Sequence, residues 1–125
     1  MRAIVCHEWK PFRGLAVEDV LAPSLGPGQV RIGVHYAGVS FATDLVTRGQ
    51  YQRKPPRPFT PGTEVAGEIL EVAPGVSGFA VGDRVCACID WGGHAEECCV
   101  DPATVYKIPA SLPFEVTPQF PTSYG

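Results

Sequence analysis

Residues 61–72, Pro-Gly-Thr-Glu-Val-Ala-Gly-Glu-Ile-Leu-Glu-Val, leave the chain few options. Pro61 fixes φ and Gly62 tolerates a positive one, so the pair makes a turn. The side chains after it alternate. Val65, Gly67, Ile69 and Glu71 fall on one face; Ala66, Glu68, Leu70 and Val72 fall on the other. The pattern predicts a turn feeding straight into a long strand. Gly67 predicts a close approach by another backbone or a ligand. Glu64, at the strand's mouth, is costly unless something pairs it. It reads as a structural ion pair with Arg84 or Arg48, beside a role as an acid, a base or a supporting carboxylate.

The remaining apolar runs are also short and punctuated. With 14 Gly and 13 Pro in 125 residues, the chain reads as one loop-rich β domain. Residues 3–6 and 15–21 predict a hairpin, and 29–39 a long strand with Val30, Ile32, Val34 and Tyr36 on one face. At Ser40 the pattern changes to one or two helical turns. Ser40 or Thr43 can cap them, and Gly49 can supply a left-handed stop. Residues 50–59 are an exposed loop, with prolines at 55, 56 and 58. Pro74-Gly75 suits a type II turn. Residues 84–90 predict a strand that turns at 91–93 and returns as a hairpin over 94–101, and 104–108 a further short strand. Residues 111–125 read as a connector, and Phe114, Phe120 and Tyr124 lack a following element to pack against.

A net charge of −3 with no basic run argues against a nucleic-acid surface. Arg53-Lys54-Pro55-Pro56-Arg57 reads as a solvated loop, with a phosphate-binding role as the alternative. No apolar run is long enough to span a bilayer, and residues 1–5 lack the apolar block of a signal peptide. Five cysteines at irregular spacing do not suggest a disulfide framework, so a reducing, cytoplasmic setting is expected.

Three groups could carry chemistry. Cys86 and Cys88 share a strand face, while Cys98 and Cys99 point opposite ways. A hairpin turning at 91–93 would bring Cys98 or Cys99 opposite Cys86. These thiols read as small apolar core residues, with a metal site and a redox pair as alternatives. His7, His35 and His94 read as surface or half-buried residues. Ser40, Thr43 and Tyr51 beside Phe41 give hydroxyls against an aromatic wall, as a small-molecule site needs, beside the simpler reading of helix capping. Glu64 is the third. No catalytic triad, phosphate loop or dinucleotide fingerprint is found.

AGVSFATDLVTRGQYQ (37–52), PFTPGTEVAGEILEV (58–72), GVSGFAVGDRV (75–85), GGHAEE (92–97) and FPTSYG (120–125) together resemble the N-terminal, GroES-like domain of the medium-chain dehydrogenase/reductase superfamily. The zinc-free NADPH:quinone oxidoreductase branch is the nearest. The resemblance implies a mainly β fold, a partly open β-barrel with short helices. It places the GroES-like domain over 1–110 and, over 111–125, a connector toward a Rossmann domain that holds NADPH. The active-site cleft would lie between the two domains, and the intact enzyme could be a homodimer. An apolar docking patch is expected near the C-terminal end.

Zinc-dependent relatives carry Cys where this chain has Ser40 and His where it has Thr63, so the resemblance implies no zinc. The quinone oxidoreductase branch usually has Asn in place of Ser40 and Asp in place of Thr43. Asp44 lies one residue later, rotated by about 100° on a helix. The implied reaction is hydride transfer from NADPH to a quinone or an α,β-unsaturated carbonyl. Tyr51, Ser40 and Thr43 would be the catalytic donors. Phe41, Tyr51 and Thr63 would line the substrate, and Ser40, Thr122 and Tyr124 would meet the cofactor. Two other readings stand beside this one: a non-catalytic GroES-like binding or scaffold module, and an enoyl reductase module of a larger synthase.

Overall fold

The alternating stretch becomes the middle strand of a five-stranded antiparallel sheet. The computed structural model describes residues 1–10, 14–38, 48–49 and 57–109. In chain order the strands are β1 (Arg2–Val5), β2 (Ala16–Asp19), β3 (Val30–Gly38), β4 (Glu64–Val72), β5 (Arg84–Cys88), β6 (Glu97–Val100) and β7 (Val105–Lys107). β1 and β2 form the expected two-stranded ribbon, and the others run in the order β6-β3-β4-β5-β7. The fold is mainly β, and its sheets do not close, as a partly open barrel requires. The two margins of the larger sheet are brief: β6 has 4 residues and β7 has 3. A 3-10 turn at Pro102–Thr104, capped by the Asp101 side chain, leads into β7.

The inner face of the sheet is packed by Val30, Ile32, Val65, Ile69, Val85, Ala87, Cys98, Val100 and Val105. Gly67 has no room for a side chain. A Cβ there would overlap the Gly33 carbonyl oxygen, so the expected close approach is made by the backbone of β3. Turn chemistry also follows the sequence. Val76 N–H donates to the Ala73 carbonyl at 3.2 Å, and Gly75 has φ +87°, as a type II turn over Pro74-Gly75 needs.

Three expectations are corrected. The strict alternation fails twice, because β3 and β4 shift register between Arg31 and Ile32 and between Val34 and Tyr36. The first irregularity pairs Arg31 with Glu71 but Ile32 with Ile69, so Val72 packs against the core and Glu71 stays exposed. At the second, Tyr36 is 47% exposed and Ala37 packs inward instead. Each extra residue reverses the facing of all that follow it. Third, β5 and β6 are not a hairpin. β6 pairs with β3, with Cys98 opposite Ile32, while β5 lies between β4 and β7, with Cys86 opposite Ala66 and Tyr106. Two strands separate them, so the expected juxtaposition of Cys86 with Cys98 or Cys99 across one hairpin does not form.

Other contacts tie the ribbon and connectors to the sheet. Ala3 bridges Ala95, and Cys6 bridges Phe59 with hydrogen bonds of 2.7 and 3.1 Å. Cys6 and Phe59 form a second small core with Trp9, Leu15 and Trp91. On β3, Arg31 reaches Glu71 at 3.1 Å, Glu97 at 3.2 Å and the Pro23 carbonyl at 2.8 Å. That one side chain joins β4, β6 and the connector before β3.

Candidate functional site

β3 ends, β4 begins and β5 ends at one point. Gly38 is opposite Glu64, and Glu64 is opposite Cys88. The Ile89 N–H donates to the Thr63 carbonyl at 2.8 Å. The turn after β5 folds back on the turn before β4: Gly93 N–H reaches the Gly62 carbonyl at 3.1 Å, and His94 N–H reaches the Pro61 carbonyl at 2.9 Å. Gly62 makes this approach possible. Its φ is +116°, and a Cβ there would lie 2.6 Å from His94 Cδ2.

Thr63, just before β4, and Glu64, at its start, are the buried polar side chains among the described residues, 6% and 5% exposed. Glu64 leans on the end of β3, where a Cβ at Gly38 would stand 2.8 Å from its Oε2. Two titratable groups near them, Cys88 and His94, are displaced. Burial pushes the Cys88 thiol up, and the Glu64 and Asp90 carboxylates add to the shift. Burial holds the His94 imidazole below its ordinary value, opposed by a hydrogen bond from the ring to the Gly38 backbone. Burial thus favours the uncharged form of that imidazole. His94 also borders an open groove of about 310 Å³, with Arg2, His35, Ala37 and Glu96 on its walls.

Of the expected site residues, Thr63 is in this cluster. Ser40, Phe41, Thr43, Tyr51, Thr122 and Tyr124 lie outside the described residues, as does Asp44. Gly38 is the last residue of β3, so Ser40 follows it by two positions in the chain. Among the described residues, no group of three or more His, Cys, Asp and Glu side chains could hold a metal ion. His94 is half-buried, as expected from the sequence; what the sequence reading did not give is its contact with the turn before β4. The available signal was the pair of glycines before it, Gly92-Gly93, which lets a backbone fold tightly against a neighbour.

The arrangement is a hydrogen-bonded corner: a buried carboxylate, a buried threonine and a half-buried imidazole, held where three strands meet. Residues 26–110 match the family model of the alcohol dehydrogenase GroES-like domain. Rat quinone oxidoreductase-like protein 2 is 43% identical over 124 residues, which is 99% of this chain and 35% of the relative. A probable oxidoreductase from Mycobacterium abscessus superposes with a TM-score of 0.88 at 38% identity, over 96% of this chain and 38% of that one. The quinone oxidoreductase of Thermus thermophilus, solved alone and with NADPH, gives 0.82 at 30% identity, over 99% of this chain and 38% of that one. The chain thus spans about a third of the length of the curated relatives it matches.

Proposed function

The chain belongs to the alcohol dehydrogenase GroES-like domain family, and on that premise we propose that it is the substrate-side domain of an NADPH-dependent oxidoreductase that reduces quinones or α,β-unsaturated carbonyls. The observation that carries this reading is the similarity, at 43% identity over 99% of the chain, to a protein named for quinone oxidoreductases. The Thermus quinone oxidoreductase, which has been solved with NADPH, supports the choice of cofactor.

On this reading residues 1–110 are the GroES-like unit, and 111–125 lead toward a nucleotide-binding Rossmann domain, in a cytoplasmic protein. NADPH, when bound, supplies the hydride. The remaining tasks fall to this chain's own side chains. Negative charge develops on the carbonyl oxygen, and oriented donors must meet it. Ser40, Thr43 and Tyr51 are the donors, and Phe41 and Thr63 shape the wall beside them. Ser40, Thr122 and Tyr124 would be the residues of this chain that meet the cofactor. Tyr51 is given the role of hydrogen-bond donor through its phenol O–H. No zinc takes part in this reading, because hydroxyls stand at Ser40 and Thr63.

The test is the enzyme that carries this domain, assayed with NADPH and a simple quinone by loss of NADPH absorbance. Removing the phenol with Tyr51→Phe should lower kcat by about tenfold to a hundredfold, as losing one aimed donor does. Unchanged kinetics would remove Tyr51 from the site, and absence of any NADPH oxidation would end the proposal.

A further inference from the structure

We propose that the Arg57 guanidinium, laid on the Trp9 indole, is a receptor for a phosphate group, with Lys10 as a second cation beside the ring. The site stands on the structure alone; its use in the reaction rests on the reading above.

The indole is a fixed platform. Trp9 follows β1 and packs on the small core of Cys6 and Phe59. Its ring meets the buried Phe59 ring with centroids 5.8 Å apart and planes 49° apart. Gly49, with φ +72°, is pressed against the same indole, so that a Cβ there would lie 2.8 Å from Trp9 Cδ2. Arg57 Cζ lies 4.5 Å from the centroid of the ring, within the range of a cation–π contact. Stacking sets the orientation of the guanidinium plane. It covers a face of the group and takes none of the N–H donors along its edge.

Other cations of the chain are already spent. Arg31 bonds Glu71, Glu97 and the Pro23 carbonyl, and Lys107 reaches Asp83. Arg57 is exposed, and among the described residues no carboxylate or carbonyl accepts from it. An oriented guanidinium edge with unspent donors suits a pair of phosphate oxygens. Lys10 adjoins Trp9 in the chain. Its ammonium lies 3.6 Å from the carboxylate of Glu8, which is 73% exposed, a loose surface pair that an incoming dianion can displace. Arg48 precedes Gly49, so its backbone is brought to the indole as well. Together Glu8, Lys10, Arg48 and Arg57 leave two net positive charges here, in a chain whose net charge is −3. That contrast selects an anion, and a phosphate has oxygens enough for Arg57 and Lys10 together. Arg13, Arg53 and Lys54 lie outside the described residues and form no part of the site. On the reading above, the phosphate arrives on NADPH or on a phosphorylated carrier of the carbonyl substrate.

The experiment titrates inorganic phosphate into the full 125-residue chain and follows the Trp9 indole N–H, the Arg57 Nε–H and the Gly49 amide by NMR. These signals should move together and saturate in the millimolar range, while chloride at equal ionic strength leaves them in place. Arg57→Gln should abolish the response. Arg57→Lys, which keeps the charge and loses the fork, should weaken binding about tenfold. Arg57 is exposed, so neither change disturbs the core. A response to chloride equal to that for phosphate would overturn the proposal, as would an Arg57→Gln chain that responds like the unaltered one. Kinetics of the enzyme that carries this domain then identify the source. Arg57→Gln should raise KM about tenfold for the ligand that brings the phosphate, with kcat little changed. A rise for NADPH assigns it to the nucleotide; a rise for a phosphorylated enone, with 1,4-benzoquinone unaffected, assigns it to the acceptor. Unchanged KM for both would overturn its use in the reaction. An enzyme that does not oxidise NADPH would defeat the reading above, and the phosphate titration would still decide the site.

Discussion

Cys98 and Cys99 are adjacent yet chemically far apart. Cys98 is 4% exposed in the core, and burial, with Cys99 adding to it, pushes its thiol up to about 12. Cys99 lies partly exposed beside Arg31, whose positive charge opposes the upward push of burial. At pH 8 the thiolate fraction of Cys98 is about one in ten thousand, and the thiolate is the reactive form. An alkylating reagent on the native chain should therefore modify Cys99 well before Cys98. Peptide mass spectrometry over time checks this, and equal rates would contradict it. The opposite facing of this pair was legible from strand geometry alone. The contacts of His94 were only half legible: Gly92-Gly93 before it signals a tight turn, while Pro61 and Gly38, which it meets, are distant in the chain. The remaining expected site residues, Ser40 and Tyr51 foremost, fall outside the described residues.

Strands β3 and β4 carry the fold, and at Gly67 the backbone of β3 leaves no room for a side chain. Gly67→Ala should destabilise the chain by about 3 kcal/mol, because the added carbon meets the carbonyl of Gly33 and not a yielding side chain. Urea unfolding measures it: the midpoint should fall with little change in slope, and a shift below about 1 kcal/mol would mean that the backbones part easily. Most elements could be read from period and punctuation. The Pro74-Gly75 turn, the β1–β2 ribbon and the course of β3, β4, β5 and β7 all follow from local chemistry. The bulges could not be read, since an extra residue exists only relative to the strand beside it. The β5–β6 error has the same origin. Gly92-Gly93 signals a reversal, and nothing local says that the returning strand will pass over β5 and β4 to lie against β3.

The whole chain covers about a third of the length of its relatives, and on the proposed reading the nucleotide would be held chiefly by the other part. Calorimetry of the 125-residue chain with NADPH should accordingly show no micromolar binding; a micromolar Kd would mean that this unit holds the nucleotide unaided. The expected docking patch near the C-terminal end lies outside the described residues. Within them, the exposed large apolar side chains, among them Val17, Leu21, Tyr36, Leu70, Val81 and Tyr106, are dispersed over several strands and loops. The outer borders of the five-stranded sheet bear on how such a unit behaves in a crowded solution. Fibril growth needs a long run of unsatisfied backbone onto which a foreign strand can be laid. Here one border is three residues long and ends in Lys107, a cation that also reaches Asp83 at 3.5 Å, and the other is only one residue longer. A stray segment would gain few hydrogen bonds at either place.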